Sequence, residues 1–212
     1  QLSINGSIID LTGAGSPRQL AGNRCNKVIQ DEIDGYEAKG DAHEHPSIAA
    51  DQRTRDVALP KRVKCSTPTL DTGMIWQCAS RGDMRRWFVS CPRCGTDGNP
   101  AKRFTIAWSE QYTVLPQKFA DGSAIPTAYV TWDPEARRED NTWDLDRVAA
   151  SAHATCPHCG GHWTDADKLW CNRTGVWLPT QIGAPGQRSY HLPAMFNTAE
   201  KTRLGNMAVQ FV

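Results

Sequence analysis

Two near-identical cysteine knuckles constrain this chain more than any other feature. Cys91-Pro92-Arg93-Cys94-Gly95 and Cys156-Pro157-His158-Cys159-Gly160 form its internal repeat and hold four of its eight cysteines. The remaining four, Cys25, Cys65, Cys78 and Cys171, are scattered. Thiolates at C-x-x-C spacing offer a metal two soft ligands from one tight turn, and Zn²⁺ prefers four such ligands in a tetrahedron. The glycine after each second cysteine lets the turn close and brings backbone N–H groups to sulfur. The chain starts without the basic and apolar runs of a secretory leader, so paired C-x-x-C reads as metal-binding rather than disulfide. Cys91, Cys94, Cys156 and Cys159 are therefore candidate ligands of one structural Cys₄ zinc site, with four buried or free thiols as the alternative. The 61 residues between the knuckles, 95–155, exceed the gap of a simple zinc ribbon, which predicts an insertion between them. No open fourth position is implied, so the spacing does not suggest a catalytic zinc. His158 and His162 flank the second knuckle and are expected to be exposed.

Upstream of the knuckles the texture is α/β. Ser7 to Leu11 reads as a short strand ending in the turn Gly13-Ala14-Gly15-Ser16-Pro17. Lys27 to Gln30 reads as a second strand, Ser47 as the N-cap of a helix from Ile48 to Val57, and Lys61 to Cys65 as a third strand. Strand, crossover helix and strand make a βαβ unit, which predicts parallel pairing and a right-handed crossover. From Trp87 onward strands alternate with turns, as in Trp87 to Val89 and Phe104 to Trp108. A charged stretch from Asp133 to Asp146 predicts an exposed loop and a helix start. The tryptophans Trp132, Trp143, Trp163, Trp170 and Trp177 read as small-domain core. The expected division is 1–86, 87–177 and 178–212, the last part returning to the first body.

The second strand runs straight into Asp31-Glu32. A strand ending in adjacent carboxylates is the Walker B arrangement: the first helps hold Mg²⁺ on nucleotide phosphates, and the second orients or deprotonates the attacking water. The third strand runs into Ser66-Thr67-Pro68. Parallel neighbours bring their carboxyl ends to one rim, where ligands bind, and hydroxyls there can sense a γ-phosphate. Read alone, Asp31-Glu32 could be a solvated loop pair and Ser66-Thr67-Pro68 a plain turn. No G-x-x-x-x-G-K-[ST] phosphate loop occurs in the sequence. An intact ATPase would need one upstream, so the chain reads as a piece of a longer protein that is inactive by itself.

The formal net charge is +1, so nucleic-acid contact must come from local patches. Arg81, Arg85, Arg86 and Arg93, with Trp87 among them, are one such cluster; a solvated face balanced by Asp83 is the other reading. No apolar stretch approaches the ~20 residues of a membrane span.

The run Val28-Ile29-Gln30-Asp31-Glu32-Ile33-Asp34-Gly35-Tyr36 resembles the Walker B segment of lambda-type (GpA-like) terminase large subunits of tailed phages. An ordered series extends the resemblance over roughly residues 8 to 197. It comprises Gly13-Ala14-Gly15-Ser16 with Leu20, Gly40-Asp41, Asp51-Gln52-Arg53-Thr54-Arg55 and Cys65-Ser66-Thr67-Pro68-Thr69. It continues with Gly82-Asp83-Met84-Arg85-Arg86-Trp87-Phe88-Val89, both knuckles, Gly175-Val176-Trp177-Leu178-Pro179 and Ser189-Tyr190-His191-Leu192-Pro193. The strand before the carboxylates is less apolar than in that family. The resemblance implies a partial RecA-like (ASCE) P-loop ATPase core with parallel strands and an inserted zinc-ribbon-like β subdomain. It implies a DNA-packaging motor using ATP, Mg²⁺ and Zn²⁺, with an endonuclease domain outside this chain that cuts concatemers. Asp31 would serve Mg²⁺–ATP, Glu32 would be the catalytic carboxylate, and Ser66 and Thr67 would sense the γ-phosphate and couple hydrolysis to movement. Arg53 or Arg55 could act as a charge-stabilising arginine, or both could be surface residues. The implied partners are viral double-stranded DNA, a terminase small subunit, the portal protein and further copies of the chain, in the host cytoplasm at the procapsid portal and without a membrane. Two other readings stay open: a DExD-type helicase, against which the knuckles speak, and a non-catalytic zinc-ribbon nucleic-acid-binding module.

Overall fold

The computed structural model describes residues 2–16, 20, 22, 24–37, 44–68, 70–109 and 115–212. Pro17, Gly40, Asp41 and Thr69 of the expected turns and motifs lie outside these. The chain divides into two compact units, Gln1–Cys78 and Ala79–Val212.

In the first unit, β1 (Leu2–Ile4) and β2 (Ser7–Ile9) form an antiparallel hairpin. Asn5 and Gly6 take φ of 49° and 76° in its two-residue loop, the left-handed pair that suits strand twist and favours Asn-Gly. Ser7–Ile9 is therefore a hairpin arm shorter than the strand expected to Leu11. The parallel pair is present: β3 (Lys27–Gln30) lies in register with β4 (Lys61–Lys64), Lys27 opposite Lys61 and Gln30 opposite Lys64. Helix α1 (Pro46–Asp51) lies between them in sequence and continues as a 3₁₀ turn over Gln52–Thr54.

The start of α1 differs from expectation. Pro46 occupies the first turn, where its fixed φ and missing N–H cost nothing, and the cap is His45, whose Nδ1 accepts from the Ser47 N–H at 3.2 Å. Ser47 itself is buried. The polar strand residues also find a reason. Asp51 at the end of α1 accepts from Gln30 Nε2 and pairs with Lys64 Nζ, each at 2.8 Å. The interruptions of the apolar pattern thus tie both strand ends to the crossover helix. A further helix, α2 (Met74–Arg81), takes its start from Asp34, whose Oδ1 accepts from the Ile75 N–H.

The second unit is built on one sheet with strand order β10-β5-β6-β7-β8-β9 and β11 also paired to β5. Its strands are β5 (Arg85–Ser90), β6 (Arg103–Ala107), β7 (Thr127–Thr131), β8 (His153–Thr155), β9 (His162–Trp163), β10 (Val176–Leu178) and β11 (Tyr190–His191). Helices α3 (Leu145–Ser151), α4 (Lys168–Thr174) and α5 (Leu204–Val209) accompany them. Val89, Phe104, Ile106, Trp163, Phe196 and Leu204 are core residues, joined by Cys91, Cys156 and Cys171. Trp132 and Trp143 pack edge to face at 5.9 Å beside a smaller cluster of Ala136, Val148 and Ala208. Trp177 packs on Trp87 at 5.0 Å. Trp170, 37% exposed, is not core.

Residues beyond 178 complete this sheet: β11 runs parallel to β5, with Tyr190 opposite Arg85. Gly205 of α5 lies so close to the Ala149 carbonyl oxygen of α3 that a Cβ would collide with it. The compact units part at 78/79, and residues 179–212 lie in the second.

Candidate metal centre and carboxylate turn

Strand β5 delivers Cys91 and strand β8 delivers Cys156. Antiparallel, parallel and antiparallel pairing across β5-β6-β7-β8 makes β5 and β8 run the same way, so both knuckles leave one edge of the sheet. In a flat sheet, three strand steps of about 4.8 Å would hold them some 14 Å apart. Here the four Sγ atoms of Cys91, Cys94, Cys156 and Cys159 lie within 4.8 Å of one another. Cys91 to Cys159 is 3.8 Å and Cys94 to Cys156 is 4.0 Å. A tetrahedron with metal–sulfur bonds of ~2.3 Å has edges of about 3.8 Å, so the sulfurs are spaced for a zinc ion rather than for disulfides.

The two turns are built alike. Arg93 N–H donates to Cys91 Sγ and His158 N–H to Cys156 Sγ, each at 3.4 Å. Gly95 N–H returns to Cys91 O at 2.8 Å and Gly160 N–H to Cys156 O at 3.0 Å. The two glycines are needed for different reasons. Gly160 has φ +68°, whereas a Cβ on Gly95 would stand 2.7 Å from Cys91 N. Burial and the neighbouring thiols push Cys94 up to about 12. Cys156 is also raised, by burial first, while the Gly161 N–H lowers Cys159. Four thiols this close resist ionising together, and a dication relieves that resistance. The donor set therefore fits Zn²⁺. Both flanking histidines are exposed and outside the ligand group: His158 Nε2 meets Arg103 O at 3.1 Å, and His162 stacks on His153 at 3.7 Å.

Of the four arginines beside the first knuckle, Arg81 is exposed, and the other three are buried or paired with acids. Arg86 is 1% exposed and gives Nη1 to Pro116 O at 3.2 Å. Arg85 pairs with Asp83 at 2.8 Å and Arg93 with Asp167 at 3.5 Å. Alternation along β5 explains Arg86: it shares the inward face with Phe88 and Ser90. Burial, and then the Arg86 charge, lower the His191 pKa from 6.5 to about 4. A histidine depressed on folding gives its full stability above its unfolded pKa and loses it as pH falls toward the folded value. Between pH 7 and pH 4.5 the expected loss is about 2–3 kcal/mol. Denaturation midpoints should fall over that range, and more steeply in the parent than in His191→Gln. Equal slopes would show that His191 is not responsible.

At the end of β3, Asp31 and Glu32 are both exposed. Glu32 adopts φ 52°, ψ 44°, a left-handed conformation that costs a non-glycine residue about 1–2 kcal/mol and persists only where surroundings enforce it. Its N–H donates to Asp31 Oδ1 at 3.1 Å. The next residue, Ile33, is fully buried, and its N–H donates to Cys65 O at 3.2 Å. Asp34 N–H then reaches Ser66 Oγ, also at 3.2 Å. The turn that follows Asp31-Glu32 is thus tied to the end of β4 through Ile33 and Asp34, and Thr67 is exposed. Arg53 is committed to Gly22 O at 2.7 Å; Arg55 is exposed. Asp34 and Asp51 organise this region; both lie in the runs that carry the resemblance, but nothing local in the sequence marks these roles. Only long-range contacts reveal them.

A carboxylate turn and a hydroxyl turn on parallel strand ends, in a chain that also carries a Cys₄ centre, are what a nucleoside-triphosphatase domain with a metal-bound module would present. The family model described as phage terminase large subunit gpA, ATPase domain, matches residues 1–177, and the chain belongs to that family. Membership implies a P-loop ATPase fold and ATP-hydrolysing activity in the whole protein. The matched span includes both knuckles as well as the carboxylate turn. No curated protein and no solved structure matches the chain. No helix among the described residues is long and apolar enough to cross a membrane.

Proposed function

We propose that this chain is part of the motor that couples ATP hydrolysis to movement of viral double-stranded DNA into a procapsid. The observation that carries this reading is that the turn following Asp31-Glu32 is tied through Asp34 to Ser66 at the ends of adjacent parallel strands, in a chain of the terminase ATPase family. The first unit is part of a RecA-like core. Mg²⁺–ATP supplies the phosphoryl chemistry when bound. Asp31 would hold the metal, and Glu32 would orient and deprotonate the attacking water. Ser66 and Thr67 sense the γ-phosphate. Because Ser66 Oγ already accepts from the backbone two residues past Glu32, a shift at either turn is felt by the other. Cys91, Cys94, Cys156 and Cys159 would hold a structural Zn²⁺ in the β-rich unit Ala79–Val212. Viral DNA, the terminase small subunit, the portal protein and sister copies are the partners, at the portal in the host cytoplasm. Concatemer cutting belongs to an endonuclease domain outside this chain.

Residues 1–212 contain no phosphate-loop pattern. Purified alone they are expected to hydrolyse no ATP, whereas a terminase chain joining them to such a loop hydrolyses ATP with Mg²⁺. Metal-dependent turnover by 1–212 alone, or none by the longer chain with DNA present, would contradict the assignment.

A further inference from the structure

Asp34 lies in the 3₁₀ turn Ile33–Gly35, two residues after Glu32. Its N–H donates to Ser66 Oγ at 3.2 Å. Its Oδ1 accepts from the Ile75 N–H, in the first turn of α2, at 2.7 Å. Its Oδ2 is buried without a hydrogen-bond partner, and a Cβ on Gly73 would stand 2.5 Å from it. Three segments distant in sequence, 32–35, 65–66 and 73–75, therefore meet on one residue.

Capping α2 alone does not require this arrangement. One acceptor oxygen satisfies a helix start, and the second oxygen is buried here at a cost in lost solvation. Buried unsatisfied groups in native structures call for an explanation, a functional role among them. The neighbouring strain supplies one. The two residues after Glu32 hold it left-handed: Ile33 by its burial, and Asp34 by its anchoring through both backbone and side chain.

We infer that Asp34 is a positioning residue for hydrolysis. It locks the turn so that Glu32 keeps its left-handed backbone, and its carboxylate keeps its aim, in register with Ser66 and α2. The inference rests on the proposed role of Glu32. Without the Asp34 anchor the turn relaxes toward ordinary φ values, and the Glu32 carboxylate moves while the nucleotide contacts made elsewhere persist.

The test uses an ATP-hydrolysing terminase chain that contains this domain, with steady-state kcat and KM for ATP, thermal melting and zinc content measured on the same samples. Asp34→Ala is expected to lower kcat about 10- to 100-fold, the effect of misplacing a catalytic group by an ångström or less. KM should stay within about threefold, the signature of an interaction that acts in the transition state. Asp34→Asn keeps an acceptor for Ile75 and should recover kcat to within about threefold, because Asn and Asp cap helices comparably. Gly73→Ala leaves Asp34 chemically intact but presses on Oδ2, and should lower kcat at unchanged zinc content. Parent-like kcat in both Asp34→Ala and Gly73→Ala would overturn the inference while Glu32→Gln still abolishes turnover. So would a kcat loss in Asp34→Ala that only tracks loss of folded protein, with Gly73→Ala at the parent rate. Parent-rate hydrolysis by Glu32→Gln sinks the catalytic reading instead, so the two failures are distinguishable.

Discussion

Replacing Cys91 and Cys156 together by serine is expected to strip the metal from the chain and unfold much of the unit Ala79–Val212. The reason lies in where the ligands sit. Cys91 and Cys156 are 1% and 2% exposed and belong to the same core cluster as Val89, Ala154 and Trp163. Each directly follows a strand of the sheet, and those strands are short, six residues in β5 and three in β8. Apparent binding free energies of structural zinc are about 10–16 kcal/mol in small peptides, against total stabilities of about 5–15 kcal/mol for whole domains. Losing even a fraction of that term outweighs the other contributions available to so short-stranded a sheet. Elemental analysis should find about one zinc per parent chain and none in the double variant. Limited proteolysis should open β5 through β10 in the variant, while Gln1–Cys78, which contributes no ligand, keeps its parent pattern. A parent chain that is metal-free yet folded and protease-resistant would exclude the structural role.

The second large effect is on chemistry. Glu32→Gln should retain nucleotide and lose turnover by about 10²–10⁴-fold, the range spanned by general-base catalysis. Glutamine keeps the shape and the backbone preference of glutamate, and the left-handed φ of 52° is no worse for it. Thermal stability should therefore change by no more than a surface substitution does, about 0.5 kcal/mol. A variant that hydrolyses ATP at the parent rate in single turnover would show that Glu32 is not the base.

The features legible in the sequence are the local ones. C-x-x-C spacing and its glycines lie in five consecutive residues, and each knuckle comes from them; the meeting of the two knuckles comes from the pairing of β5 through β8. Lys27–Gln30 is readable as a strand despite its polar ends because strand and turn signals are contiguous; that Asp51 accepts from both Gln30 and Lys64 is not. The Asn5-Gly6 hairpin signal was present in the residues, yet Ser7–Ile9 reads as a lone strand because its partner precedes it. Helix α2 has its cap 41 residues upstream at Asp34, and a histidine caps α1, so neither start carries the usual local mark. Arg86 shows that a run of arginines does not guarantee an exposed face: period-two alternation on β5 decides. The return of Tyr190–His191 to β5 is a parallel pairing across about a hundred residues. Local propensity cannot encode it.

The most direct test of the central claim is DNA packaging itself. Procapsids bearing a portal, incubated with linear double-stranded DNA, ATP, Mg²⁺ and the terminase chain containing these residues, should render the DNA resistant to nuclease. Glu32→Gln in the same mixture should leave the DNA digestible while still binding nucleotide. Equal protection by the variant, or no ATP-dependent protection by the parent, would contradict the assignment of this chain to the packaging motor.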